Sequence, residues 1–170
     1  MAFIFHKSLK GSSMPPLVRV IIDNSDVISL GDAVRCYNAG NVEVAAAAKA
    51  IFGFVHDVQD KNGLTPTPDA GTLDTWTVAA DNETVDLKAA LIDVDQDSVY
   101  SAPLDAAIGT TNTSSKIGVS FDIANEYSVG ESTALRSGQG QLYGWGADPN
   151  DSTRVLVSIL ESERRAGGVY

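Results

Sequence analysis

The chain has 170 residues, 44 % of them hydrophobic and 20 % charged, which is enough for one domain with a hydrophobic core. The net charge of −10 argues against a nucleic-acid-binding protein, and no apolar run approaches the roughly 20 residues that a membrane-spanning helix needs. The first residues show no long apolar segment followed by a cleavage site, so we expect no signal peptide. Cys36 is the only cysteine, which excludes an internal disulfide and favours a reducing compartment.

The N-terminal segment differs in charge from the rest of the chain. Residues 1–22 hold Lys7, Lys10 and Arg19 but no acidic residue, whereas the remainder is strongly acidic. A Gly-Ser-Ser sequence followed by Pro-Pro marks a boundary at the end of residues 1–16. We therefore predict an extended N-terminal arm, ordered by an acidic partner, a neighbouring subunit or a larger assembly. The alternative is a frayed terminus.

The body, residues 17–163, shows short β-rich runs separated by turn clusters at intervals of about ten residues. Strands are predicted at 17–22, 33–38, 42–48, 51–58, 72–81, 116–124 and 155–162. Residues 132–146 are predicted as a hairpin region, and 164–170 as a C-terminal tail. The segment 83–95 fits a helix, or a strand at 88–94, equally well. This pattern predicts a mainly β, compact barrel-like or sandwich-like domain with little helix.

The segment 31–58 contains four consecutive alanines, Ala45 to Ala48, which favour a helix when taken alone. A helix of that length between turns would be unstable, and the flanking residues alternate as strand residues do. We predict a β-meander with a hairpin-type turn at Ala39-Gly40-Asn41. The alanines are expected to lie at a tightly packed or crossing point, where a close neighbour requires small side chains. A single helical turn at 45–49 is the alternative.

The acidic triplet Asp93, Asp95 and Asp97 lacks the glycine and the glutamate that an EF-hand calcium loop requires. We expect these carboxylates to line one face of a strand, with a weak cation site as the alternative. Gly138 and Gly140 lack the strand–turn–helix context of a dinucleotide-binding fingerprint.

Other candidate reactive residues form no catalytic constellation. His56 and Asp57 are adjacent on a predicted strand and should point to opposite faces. Cys36 is expected to be a buried, unreactive thiol. We therefore predict that the protein is not an enzyme and has no catalytic residues, no metal and no cofactor.

Three aromatic residues allow two interpretations. Trp76, Trp145 and Tyr143 are suited to a sugar-binding platform, but they are equally suited to packing in a core or an interface.

The layout of two regions resembles that of the capsid decoration (cement, or head-stabilising) proteins of tailed bacteriophages, of the β-tulip type. In the first half it is carried by "GDAVRCYNAGNVEVAAAAKAIFGFVHDVQDKNGLTP". In the second half it is carried by "DVDQDSVYSAPLDAAIGTTNT", then "KIGVSFDIA", then "DPNDSTRVLVSILESE". The resemblance spans residues 17–163 and is one of pattern and order.

The resemblance implies a β-tulip-like, non-enzymatic protein that binds the outer surface of an expanded capsid and stabilises it against internal DNA pressure. The implied partners are the major capsid protein and other copies of this chain, as a homotrimer, without nucleic acid or membrane. The implied location is the capsid exterior of a virion assembled in the host bacterial cytoplasm. The arm residues expected to contact the partner are Phe3, Ile4, Phe5, His6, Lys7 and Lys10.

Two alternatives remain beside this interpretation. One is another virion component, such as a head-fibre base, a tail subunit or an adaptor. The other is a carbohydrate-binding surface module that uses Trp76 or Trp145.

Overall fold

The computed structural model describes residues 3–9, 15–37, 40–45, 50–95, 97–105, 116–125, 128–131 and 141–160. Within these ranges the chain is mainly β, with a π-helical turn at Asn82–Asp86. The strands in chain order are β1 (Ile4–Ser8), β2 (Leu17–Ile21), β3 (Val27–Ser29), β4 (Ala33–Tyr37), β5 (Asn41–Val44), β6 (Gly53–Gln59), β7 (Thr75–Thr77), β8 (Ala89–Asp93), β9 (Ser98–Pro103), β10 (Ile117–Asn125), β11 (Ser128–Glu131), β12 (Leu142–Asp148) and β13 (Asp151–Ile159).

The strands form three antiparallel sheets. A six-stranded sheet has the order β1-β9-β13-β12-β10-β11, a five-stranded sheet has the order β2-β8-β6-β4-β5, and β3 pairs with β7. The mainly β, sandwich-like prediction is therefore confirmed.

Two hydrophobic cores separate the sheets into three layers. The first core lies between the six-stranded and five-stranded sheets and contains Phe54 and Phe121. The second lies between the five-stranded sheet and the β3–β7 pair and contains Val55 and Trp76. Because neighbouring strand residues point to opposite faces, Phe54 and Val55 serve different cores, and the five-stranded sheet is buried on both sides.

Most predicted strands are present, with some exceptions. Residues 72–81 contain only the short strand β7, and 83–95 contain both a π-helical turn and β8. The sequence analysis overlooked β9 and β11. Of the region 132–146, residues 132–140 lie outside the described part of the chain.

The predicted β-meander over 31–58 is wrong. β4 and β5 form the expected hairpin, but β6 pairs with the opposite edge of β4, so β5 and β6 are not neighbours. β6 also pairs with β8, and its buried apolar side chains require covering layers on both faces. Ala45 is buried in the first core, whereas residues 46–49, with the alternative helical turn, lie outside the described part.

Residues 3–9 do not form the extended N-terminal arm that the sequence analysis predicts. They include β1, which pairs with β9 at the edge of the six-stranded sheet. The physical reason is that Phe3 and Phe5, two residues apart in an extended segment, point to the same side, and both aromatic rings pack against the first core. Residues 10–14, with Lys10, and the predicted tail 164–170 lie outside the described part of the chain.

Candidate interaction site around strand β1

β1 is attached to the body along its length and at both ends. Phe5 lies opposite Tyr100 and Lys7 lies opposite Val99, with a register shift between Phe5 and Lys7. Before the strand, the backbone N–H of Phe3 donates to the Gly31 carbonyl at 3.2 Å. These contacts fix the register of the terminal segment on the sheet edge.

At Gly31 the main chain of the terminal segment passes directly against the body. Its φ is +81°, and a Cβ at this position would come within 2.3 Å of the Phe3 carbonyl oxygen. A larger residue would be strained by the left-handed conformation and would also push Phe3 away. Glycine therefore creates the space that the N-terminal segment occupies.

Aromatic rings line the space beneath β1. The Phe3 ring centroid lies 4.6 Å from that of Phe54, which lies 4.2 Å from that of Tyr100. Phe5 meets Tyr100 and His56 edge-on, each with a centroid distance of 5.8 Å. We call the surface formed by Gly31, Phe54, His56 and Tyr100 the β1 slot.

Polar groups below the β1 slot join the two large sheets. The Tyr100 hydroxyl of β9 donates to the Asp93 carboxylate of β8, and it lies 3.2 Å from His56 Nε2 of β6. Asp93 is 1 % exposed, so this hydrogen bond compensates a carboxylate that has lost water. The sheets are therefore connected by polar contacts as well as by apolar packing.

The same environment shifts the pKa values of two side chains. Burial, followed by the charge of Asp93, raises the pKa of Tyr100 far above its ordinary value. Burial lowers the pKa of His56, and the negative charge of Asp93 only partly opposes that shift. The neutral forms of both groups are therefore favoured under β1.

A second polar cluster lies beside Ile4 of β1. The Ser101 hydroxyl donates to Asp148 and accepts a hydrogen bond from Arg154 Nε at 2.8 Å. Burial alone would raise the pKa of Asp148. Hydrogen bonds from Ser101 and the Asn150 backbone, with the charges of His6 and Arg154, outweigh burial and lower that pKa.

The six residues predicted to contact a partner differ in their exposure to solvent. Phe3 is 3 % exposed and, with half-buried Phe5, packs against the chain's own first core. Ile4 is 40 % exposed, and His6 and Lys7 are also exposed. Only these three present their side chains to solvent among the described members of the set, and Lys10 lies outside the described residues.

The acidic triplet has a different role from the expected one. Asp93 ends β8, while Asp95 and Asp97 lie in the turn that follows, so the three do not line a strand face. The backbone N–H of Asp95 donates to Asp93 Oδ1, and that of Asp97 donates to Asp95 Oδ1. These carboxylates shape the turn. In the described ranges, no group of three His, Cys, Asp or Glu residues is arranged to hold a metal ion.

His56 and Asp57 have separate partners. His56 contacts Tyr100, while Asp57 accepts a hydrogen bond from the Thr65 hydroxyl. Cys36 is half-buried rather than buried as predicted, and it lies on the edge hairpin of β4 and β5. Burial still raises the pKa of the Cys36 thiol, which keeps it protonated at neutral pH.

The aromatic candidates differ in exposure. Trp76 is buried and its indole N–H donates to the Pro66 carbonyl at 2.9 Å, which is a packing role. Trp145 is 39 % exposed and lies 4.9 Å from the Tyr143 ring. Ile117, opposite Trp145 across the strand pair, is 63 % exposed. These three form an apolar patch on the six-stranded sheet.

Sequence analysis did not identify Gly31, Phe54 and Tyr100 as partners of the N-terminal segment. The available signal was the spacing of two residues between Phe3 and Phe5, which places both rings on one face if the segment is a strand. The identity of the covering surface depends on long-range pairing, which a single sequence does not encode locally.

Neither a protein-family model nor a curated protein sequence matches this chain. In the part of the chain that the structure describes, no helix has both the length and the hydropathy needed to cross a membrane.

Proposed function

We propose that this protein is a bacteriophage capsid decoration protein. It binds the outer surface of the expanded shell, contacts the major capsid protein and other copies of itself as a homotrimer, and has no enzymatic activity. The observation that carries the proposal is the layout of residues 31–66 and 93–163, which resembles that of β-tulip decoration proteins. The mainly β sandwich supports it by supplying the type of fold that this layout implies.

The mechanism follows from mass action. A protein that binds only the expanded lattice stabilises that state by the free energy of binding. Copies that also contact one another add avidity, because each further contact on an assembled surface is effectively intramolecular. No catalytic pocket is required, since the function belongs to an exposed surface.

Fewer side chains of the N-terminal segment are available to a partner than the sequence analysis predicts. Phe3 and Phe5 fill the first core, so Ile4, His6 and Lys7 are the β1 side chains that a capsid protein meets. An edge strand is also suited to main-chain pairing with an extended segment of a partner. Lys7 would pair with an acidic residue on the shell.

The test is co-sedimentation of the protein with expanded and with unexpanded shells of the virus that encodes it. Lys7→Glu should weaken binding to expanded shells, whereas Lys61→Glu, an equal charge change in the exposed turn after β6, should not. Wild-type protein that binds neither shell contradicts the proposal. Deletion of residues 1–16 is a poorer test than point substitution, because it also removes Phe3 and Phe5 from the core.

A second candidate is a carbohydrate-binding surface at the Trp145–Tyr143–Ile117 patch. The specific observation is a partly exposed indole whose N–H is oriented by Ser158 Oγ at 2.8 Å. A glycan array probed with wild-type protein and with Trp145→Ala decides this: glycan binding that Trp145→Ala abolishes favours the carbohydrate function, and an array without binding eliminates it.

A further inference from the structure

The β1 slot belongs entirely to parts of the chain other than β1. Gly31 precedes β4, Phe54 and His56 lie on β6, and Tyr100 lies on β9. A body without its own β1 therefore still carries every group that β1 contacts. A second copy presents the same groups in the same positions.

The departure of β1 would break only one strand pair. This strand is at the edge of the six-stranded sheet and pairs with β9 alone in the sheet order. Eight residues, 9–16, connect it to β2, and a chain of that length spans at most about 29 Å when extended. This length limits how far β1 can move from β2 while the body keeps its fold.

We propose that β1 is exchanged between neighbouring copies of this chain, so that residues 3–8 of one copy occupy the β1 slot of the next. The contacts of Phe3 with Gly31 and of Phe5 with Tyr100 and His56 are the same in the exchanged form. This inference deepens the proposed function, on which it rests for its biological setting, because it names the neighbour that the N-terminal segment contacts.

The slot selects this occupant over other extended peptides. It requires a main-chain carbonyl directly against Gly31, one phenylalanine ring on Phe54 and a second two residues later on Tyr100. The charges also match: β1 carries His6 and Lys7 but no acid, and His6 lowers the pKa of Asp148. A second copy supplies this pattern without any additional partner.

Concentration determines which form is populated. Closure within one chain competes with exchange at an effective concentration in the millimolar range, which is the order expected when a short linker joins two binding partners. Dilute protein is therefore closed, while copies refolded at high concentration or arrayed side by side exchange strands. Exchange of an identical element costs little, because the open and closed forms share their contacts.

The experiment uses the register neighbours Lys7 and Val99 in a Cys36→Ser background. Directly opposed residues of an antiparallel pair lie within disulfide range. Lys7→Cys and Val99→Cys chains are unfolded separately, mixed, refolded together at high concentration and oxidised. The expected result is a disulfide-linked species of twice the chain mass that contains one chain of each kind. A mixture of Lys61→Cys and Val99→Cys is the matched control.

A cross-linked yield no greater than that of the control overturns the proposal, provided that one chain carrying both substitutions forms its internal disulfide when dilute. Failure of that doubly substituted chain to form any disulfide at any concentration also overturns it, because the Lys7–Val99 register is then absent. The experiment needs no capsid. Loss of exchange with retained shell binding refutes only the exchange, and retained exchange without shell binding refutes the proposed function.

Discussion

The two edge strands β1 and β2 are held by different means, although both lie in the N-terminal part of the chain. β2 pairs with β8 over five consecutive residues without a register shift, yet none of its own side chains is fully buried. β1 has an interrupted register with β9, but it brings the rings of Phe3 and Phe5 to the first core. β2 thus depends on its main-chain ladder and on the partly buried Val20, whereas β1 depends on two aromatic side chains.

This difference shows why a terminal segment with few regular hydrogen bonds belongs to the fold. Main-chain pairing gives only a modest net free energy for each bond, whereas burying one phenylalanine contributes about 1.5–3 kcal/mol. A segment anchored by large side chains is therefore sensitive to single substitutions, and a segment anchored by its backbone is not.

The largest expected effect is that of Phe3→Ala. Removal of this buried ring should lower the free energy of unfolding by about 3–5 kcal/mol. Val18→Ala in β2, where Val18 is 40 % exposed, should change it by no more than about 0.5 kcal/mol. Urea unfolding of both variants measures the contrast, and equal losses would refute the distinction between the two strands.

The second-largest expected effect is that of Gly31→Ala. It should lower the free energy of unfolding by roughly 2–4 kcal/mol, because of left-handed strain and the clash with Phe3. Gly40→Ala is the matched control, because Gly40 has a φ of +88° with no atom within 4 Å of an added Cβ. Gly40→Ala should lower the free energy of unfolding by only about 1–2 kcal/mol, because of strain alone. The excess cost at Gly31 should disappear in a chain that lacks residues 1–8, because the clashing atoms belong to the Phe3 main chain, which Phe3→Ala would retain. Persistence of the excess in that chain would mean that the terminal segment is not its source.

Tyr100→Phe should cost about 1–3 kcal/mol, because it leaves the buried Asp93 carboxylate without the hydroxyl that donates to it. Tyr37→Phe removes a hydroxyl from a ring that is 39 % exposed and should be nearly neutral. Thermal unfolding at neutral pH compares the two. A neutral Tyr100→Phe variant would indicate that Asp93 gains an equivalent partner.

The smallest effect is a pH dependence at His56. Burial holds its folded pKa below the unfolded value of about 6.5, so protonation favours the unfolded state. The stability of the neutral form is fully present above that pH and declines as the pH falls below it. His56→Gln should flatten the unfolding free energy over this interval, and an unchanged slope would place its origin elsewhere.

Sequence patterns predicted the parts of this fold that are governed by local alternation. The strands β2, β4, β6, β10 and β13 are recognisable because β-branched and aromatic residues alternate between turn signals. The same reasoning located the hairpin at Gly40, where a left-handed residue is needed between paired strands.

The remaining features depend on pairings between distant residues. β9 is rich in serine and alanine, because small side chains suit a strand that is covered on both faces, and such a strand lacks clear alternation. The position of β6 beside β4 rather than β5 depends on β8, more than thirty residues downstream of β6's start. The β1 slot could therefore not be recognised from the sequence, because β9 was overlooked and the position of β6 in the sheet was predicted wrongly.

The placement of the two tryptophans gives the layers separate optical reporters. Trp76 is buried between the five-stranded sheet and the β3–β7 pair, and Trp145 lies on the six-stranded sheet at 39 % exposure. When tryptophan is excited selectively, a Trp145→Phe chain reports on the second core, and a Trp76→Phe chain reports on the six-stranded sheet. Intrinsic fluorescence can therefore follow the melting of each layer in an otherwise unlabelled protein.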